Sequence, residues 1–218
     1  MIRAVIFDLD GTLLHMKLRI KEAKTELVRR LRNMGINSDQ ITAKIPTEEI
    51  VSRIIENYGL SRSYLMKLVD EVYIPYELEA AKAAELKEGV KDVLMKLRAM
   101  GFKLAIASNN GRLGVNLALK NTSIKHFFDV IVTRNDVNRM KPSGALIIEA
   151  IRRLGVKPSE AVYVGDTAYD VLAAHEVGIL SIVISGGADP ISRVLKYRPE
   201  IIIRDIKELP EVLKERNL

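Results

Sequence analysis

The chain has 218 residues, 34 Lys and Arg against 28 Asp and Glu, and no cysteine, giving a formal net charge of +6. This length holds one large domain or two small ones, and 48% hydrophobic with 28% charged residues excludes a disordered chain. Without cysteine there is no disulfide scaffold, thiolate zinc site or cysteine nucleophile, and His15, His126 and His175 are too scattered for a histidine metal site.

Any metal here is therefore expected to be hard and oxygen-bound, Mg²⁺ before Zn²⁺. The single Gln40 and the dense mixed charge resemble thermophile usage. The apolar start meets Asp8 and Asp10 too soon for a signal-peptide core. Near the C-terminus, the uncharged stretch Val177 to Ala188 falls far short of the ~20 residues of a membrane helix. The expected location is cytoplasmic, with no membrane partner.

The first element is the apolar run Ile2 to Phe7, ending at Asp8. From Met16 to Met34, seven basic residues (Lys17, Arg19, Lys21, Lys24, Arg29, Arg30, Arg32) face only Glu22 and Glu26, so this segment carries +5 of the net +6. Ile20, Ala23, Leu27, Leu31 and Met34 recur at helical spacing beneath that charge. The basic face reads as a solvated surface; its alternative is attraction of anionic substrates. No aromatic residue interleaves with the charges, so nucleic acid is not expected as a partner.

Helical patterning without a convincing strand continues to about Lys87, with Pro46 and Gly59 as punctuation and Pro75 expected to kink or end a helix. Residues 15–87 therefore read as a small helical domain inserted into a core of residues 1–14 and 88–218. Tyr58, Tyr64, Tyr73 and Tyr76 in this insert are expected to pack in its core or against the other domain.

In the core, Lys103–Ala107, Asp129–Thr133, Ala161–Gly165, Leu180–Ile184 and Glu200–Ile203 are short Val- and Ile-rich runs, apolar on both faces. That is the pattern of strands buried on both sides of a parallel sheet. Helical stripes lie between them: Val90 to Met100 stopped by Gly101, Leu146 to Leu154 stopped by Gly155, and Val171 to Val177 stopped by Gly178. Strand and helix in alternation predict an α/β fold, a Rossmann-like doubly wound parallel sheet with right-handed crossovers.

Ligands of such sheets bind outside the carboxyl ends of the strands. The residues there are Asp8, Asp10, Gly11 and Thr12 after the first strand, Ser108 and Asn109 after the second, Lys141 and Pro142 beyond the third, and Asp166, Thr167 and Asp170 after the fourth. Four carboxylates, a lysine and a hydroxyl would converge on one edge, a cluster that is costly unless a cation neutralises it. Each piece has a plainer alternative: a turn at Asp10-Gly11, a helix cap at Ser108, a capping pair at Thr167 and Asp170, an exposed loop lysine at Lys141. Four such accidents at four successive strand ends are improbable. His15 reads as exposed or packing, His175 as structural, and Gly186-Gly187 as a turn.

The set Asp8-x-Asp10-Gly11-Thr12, Ser108-Asn109, Lys141-Pro142 and Gly165-Asp166-x-x-x-Asp170 resembles the four ordered motifs of the haloacid dehalogenase-like hydrolase superfamily. The resemblance spans the chain, and the helical insert is similar to that family's cap. It implies Asp8 as nucleophile through an aspartyl-phosphate, and Asp10 as general acid and then base. Ser108, Asn109 and Lys141 would bind the phosphoryl group. Asp8, Asp166 and the Asp10 carbonyl would hold Mg²⁺, with Thr12 and Asp170 supporting from behind.

Asp10 favours phosphate esters over halides, because a halide leaving group needs no proton. The implied activity is a Mg²⁺-dependent phosphatase acting on a small soluble phosphomonoester. A phosphomutase, or a weakly active regulatory member of the fold, is the alternative. Ser143-Gly144-Ala145 after Pro142 and His15-Met16 after the first motif depart from the pattern of relatives and leave the substrate open.

Overall fold

The computed structural model describes residues 1–215. Strand β1 (Ala4–Phe7) is buried along its whole length. Strand β2 (Leu14–His15) leads into three helices, α1 (Ile20–Asn33), α2 (Thr47–Tyr58) and α3 (Arg62–Lys82), and β3 (Glu85–Leu86) closes the insert by pairing antiparallel with β2. The chain then alternates: α4 (Val90–Ala99), β4 (Lys103–Ser108), α5 (Arg112–Asn121), β5 (Val130–Thr133), α6 (Ala145–Leu154) and β6 (Ala161–Gly165). It continues through α7 (Ala168–Val177), β7 (Leu180–Ile184), the short α8 (Ile191–Val194), β8 (Ile201–Ile203) and α9 (Leu209–Glu215).

Six strands form one parallel sheet in the order β5-β4-β1-β6-β7-β8. Every expected core strand is present. Alternation along β1 sends Val5 and Phe7 into one apolar layer with Leu94, Val115 and Leu213, and Ala4 and Ile6 into the other with Ile147 and Ala174. Helices therefore cover both faces, as a doubly wound parallel sheet requires. From β1 the chain moves outward through β4 to β5 and then crosses back to β6 on the other side of β1, so the crevice at the carboxyl ends of β1 and β6 is the switch point of the sheet. Helices α1–α3 build a separate apolar cluster from residues such as Leu27, Leu31, Ile50, Ile54, Leu65 and Val69.

The insert differs from expectation in four respects. It contains strand: His15 and Glu85 pair where the chain passes between the sheet core and the insert. Pro75 neither ends nor divides a helix, because α3 runs through it. Pro75 sits on the solvent side, so the carbonyl that its missing N–H leaves without a partner can face water. Tyr58 and Tyr64 lie on the surface and only Tyr73 is buried. Ile20 and Met34, the two ends of the apolar stripe of α1, are exposed, while Val28 joins the buried face.

The insert and the sheet core are tied by buried charge. Arg134, after β5, is fully buried and pairs with Glu77 of α3, and its Nε lies 2.8 Å from Asp70 Oδ1. Glu77 Oε2 also accepts the Gly111 amide at 3.1 Å. Glu48 of α2 binds Arg62 at 2.5 Å and accepts the Met140 amide at 2.9 Å, next to Lys141. Among the described residues no helix is long and apolar enough to cross a membrane.

Candidate active site

Asp8 is the first residue past β1, and its amide continues the ladder to the Val164 carbonyl at 2.8 Å. The strand thus aims its carboxylate into the crevice. Lys141 meets it there: Nζ donates to Asp8 Oδ1 at 2.5 Å, to Asp170 Oδ1 at 2.7 Å and to the Tyr163 hydroxyl at 3.0 Å. All three ammonium donors are used, and the group is buried. The exposed-loop alternative for Lys141 therefore fails.

Hydrogen bonds on either side hold the Lys141 segment in place. The Asn109 carboxamide clamps its peptide on both sides, Nδ2 donating to the Lys141 carbonyl at 3.1 Å and Oδ1 accepting the Lys141 amide at 2.8 Å. The Asn109 side chain is committed to this clamp, which leaves its backbone N–H for any ligand. The Lys141–Pro142 peptide is cis. Ser143 and the Gly144 amide bond Glu176 of α7, and a side chain at Gly144 would strike Val177 Cγ2 at 2.4 Å.

Asp166 stands beside Asp8 at the end of β6. Its Oδ1 accepts the Thr12 hydroxyl at 2.9 Å and its Oδ2 the Ala188 amide at 2.6 Å. Asp170 caps α7 as the sequence suggested, with Oδ2 accepting the Thr167 amide and hydroxyl at 2.9 and 2.6 Å. It also reaches the site through Lys141, so the capping and the site readings both hold for this residue. Asp10 Oδ1 accepts the Met16 amide at 3.0 Å, and Asp10-Gly11 does form a turn, with Gly11 at φ +88°. Ser108 caps no helix: its hydroxyl accepts the Asn110 amide at 3.2 Å.

Oxygens of Asp8, Asp166 and Asp170 lie within 4.8 Å of one another, close enough to surround one cation. Both oxygens of Asp166 and of Asp170 already accept hydrogen bonds, but Asp170 Oδ1 is held by the Lys141 ammonium and the Tyr163 hydroxyl, whereas each Asp166 oxygen has a single neutral donor. Burial raises the pKa of Asp8; Lys141 opposes the rise, and Asp170 and Asp166 add to it. Burial likewise raises Asp166, with Asp170 adding. Asp10 is pushed up to about 7, first by burial and then by the charge of Asp8. Burial works against the charge of Lys141, but Asp170 and Asp8 outweigh it and keep the ammonium protonated.

A cavity of about 500 Å³ opens at Asp10 and Lys141, with Asp8, Asp166 and Ser108 outside its lining. Asp10, Asn109, Lys141 and Gly187 line it from the core, and Lys24, Thr47 and Tyr73 from the insert. His15 lies on its rim, exposed. Gly186-Gly187 is both a turn and part of the wall. His175 is outside the site, paired with Glu200 at 2.9 Å.

Sequence reasoning missed Tyr163, whose hydroxyl also lies 3.2 Å from the Ala107 carbonyl and 3.0 Å from Asp170. It reads as one more apolar strand residue; the only signal was a tyrosine two places before Gly165. Lys24 was hidden among six other basic residues of its segment, and Lys87, whose Nζ donates to the Gly11 carbonyl at 2.6 Å, has no sequence signature.

Comparison with known proteins shows the family. The family described as haloacid dehalogenase-like hydrolase matches residues 5–184. A glyceraldehyde 3-phosphate phosphatase of Methanopyrus kandleri is 32% identical over 99% of this chain and 98% of its own. The pyrophosphatase PpaX of Bacillus cereus is 26% identical over 99% and 98%. A solved structure of a haloacid dehalogenase-like hydrolase from Streptococcus pneumoniae superposes with a TM-score of 0.68 at 25% identity, covering 97% of this chain and 98% of that one. The chain thus belongs to the haloacid dehalogenase-like hydrolases, an enzyme family.

Proposed function

We propose that the protein is a Mg²⁺-dependent phosphatase that hydrolyses a small soluble phosphomonoester through an aspartyl-phosphate on Asp8. One observation carries this reading: a lysine-held carboxylate, Asp8, with a second carboxyl, Asp10, two residues on and lining a cavity of about 500 Å³. That volume suits a small molecule. The relatives named as a glyceraldehyde 3-phosphate phosphatase and a pyrophosphatase support phosphoryl chemistry.

An Asp8 oxygen attacks phosphorus and the ester P–O bond breaks. Asp10, protonated at that moment, gives its proton to the departing oxygen. Asp10 then takes a proton from water, the water oxygen attacks the aspartyl-phosphate, and inorganic phosphate leaves with Asp8 restored. The Lys141 ammonium offsets charge on Asp8 and the phosphoryl oxygens, and the Ser108 hydroxyl and the Asn109 N–H bind those oxygens. The donor set is all oxygen, which fits Mg²⁺. Asp8, Asp166 and the Asp10 carbonyl would hold the ion, Thr12 orienting Asp166 and Asp170 acting through Lys141; when bound it supplies further positive charge to the phosphoryl group. Helices α1–α3 act as a cap that keeps bulk water out.

The test is phosphate release from p-nitrophenyl phosphate. Wild type is expected to turn over with Mg²⁺, to stop in EDTA, and to lose roughly 10³-fold or more on Asp8→Asn. Robust turnover by Asp8→Asn overturns the nucleophile assignment. For Asp10→Ala, slow turnover with Asp8 still phosphorylated by an activated donor is expected.

A further inference from the structure

The basic segment that carries most of the net charge is not uniform once folded. Arg19 is paired with Glu79 at 2.5 Å, and Arg29 and Arg30 share Glu26. Lys17, Lys21 and Arg32 are exposed to solvent. Those six residues behave as an ordinary solvated face.

Lys24 is different. It is half-buried, and it lines the same cavity as Asp10, Asn109 and Lys141. Its wall is otherwise mostly apolar: Met16, Leu18, Ile20 and Pro46. Its one hydrogen bond runs from Nζ to the Ile45 carbonyl at 3.1 Å, which leaves two of three ammonium donors. Among the described residues no carboxylate pairs with it. Burial lowers its pKa, and the charge of Arg193 lowers it further, so its surroundings hold no compensating anion. A cation kept half-desolvated in a cavity wall is costly unless an anion enters with the ligand. Lys141 is already saturated by Asp8, Asp170 and Tyr163, and Lys87 donates to the Gly11 carbonyl at 2.6 Å next to Asp10, so of the three lysines that line the cavity Lys24 is the one carried by the helices of the insert, away from the aspartates.

We infer that Lys24 is the specificity-determining residue of this cavity. The substrate it selects is a phosphomonoester carrying a second oxyanion, a carboxylate or a phosphoryl group, at the end remote from Asp8. The substrate class rests on the phosphatase reading above; the anion preference can be read without turnover.

Two matched pairs test it. 3-Phosphoglycerate and glycerol 3-phosphate differ in a carboxylate against a hydroxymethyl group. Propane-1,3-diol bisphosphate and propyl phosphate differ in a second phosphoryl group. In at least one pair wild type is expected to favour the doubly anionic member about tenfold or more in kcat/KM. The pair that shows it names the oxyanion. Lys24→Met should cut that ratio about tenfold or more, mainly through KM, and Lys24→Arg should keep most of it.

Calorimetric binding of the same pairs to the Asp8→Asn protein, with and without Lys24→Met, reads the preference independently of chemistry. No preference in either pair, or a ratio that Lys24→Met leaves unchanged, overturns the inference. Preferential binding that Lys24→Met abolishes, in a protein that releases no phosphate from p-nitrophenyl phosphate, overturns the phosphatase reading and upholds the anion site.

Discussion

Gly187 and Gly11 are small because Asp166 leaves them no room. A Cβ at Gly187 would fall 2.3 Å from Asp166 Cβ, and one at Gly11 would fall 2.3 Å from Asp166 Oδ2. The carboxylate is thus wedged between two bare backbones, with Thr12 and Ala188 fixing its oxygens. Gly187 has no positive φ, so the effect of substituting it is steric. Gly187→Ala should displace Asp166, lower phosphate release by roughly 10²-fold, as about an ångström of misplacement does, and raise the Mg²⁺ concentration at half-maximal rate. Far-UV circular dichroism should not change. Unaltered Mg²⁺ dependence would mean that Asp166 tolerates the shift.

At this scale Asp8 and Asp166 were legible, because they end apolar runs at the carboxyl edge of the sheet; Lys141, in a polar loop past β5, was legible only as one of four motifs in order. The glycine contacts and Tyr163 were not, because they arise from residues far apart in the chain: Gly187 against Asp166, Tyr163 against Lys141.

Helix α3 shows how elements meet. It packs on α5, where a Cβ at Gly114 would lie 2.9 Å from Glu77 Cβ. A glycine inside a ten-residue helix lowers its propensity and blurs its apolar period. That is why α5 has no clear sequence signature, although its neighbours α4, α6 and α7 do. The same crossing buries Arg134 against Glu77 and Asp70. Removing one member of a buried pair leaves the other charged and unpaired, at a cost of about 3–5 kcal/mol. Arg134→Met should lower the urea unfolding free energy by about that amount, and Arg134→Met with Glu77→Leu should recover part of it. A change within about 0.5 kcal/mol for the single variant would show that water reaches the pair.

Across the whole molecule, the site carboxylates set a pH dependence. Asp8, Asp10 and Asp166 have folded pKa values above the ordinary 3.8, Asp10 at about 7. Between those limits the folded state binds more protons than the unfolded one, so stability falls as pH rises from about 4 to about 7. A metal that binds the deprotonated carboxylates offsets this loss. The melting temperature of metal-free protein is expected to drop over that range, and Mg²⁺ should raise it more at pH 7.5 than at pH 5. An equal Mg²⁺ increment at both values would detach the ion from these aspartates.

The two-residue strands β2 and β3 have a consequence at the same scale. The chain leaves the sheet at Leu14–His15 and returns beside itself at Glu85–Leu86, with Leu14 opposite Leu86. The chain between enters and leaves through this one paired stem, the six-stranded sheet is complete without it, and the other ties to the core are the contacts of Glu48, Asp70 and Glu77. The intervening helices can thus be exchanged at two strand positions, provided that Glu48, Asp70 and Glu77 are kept. Grafting a relative's segment between these two strands should transplant its choice of leaving group onto an unchanged catalytic floor.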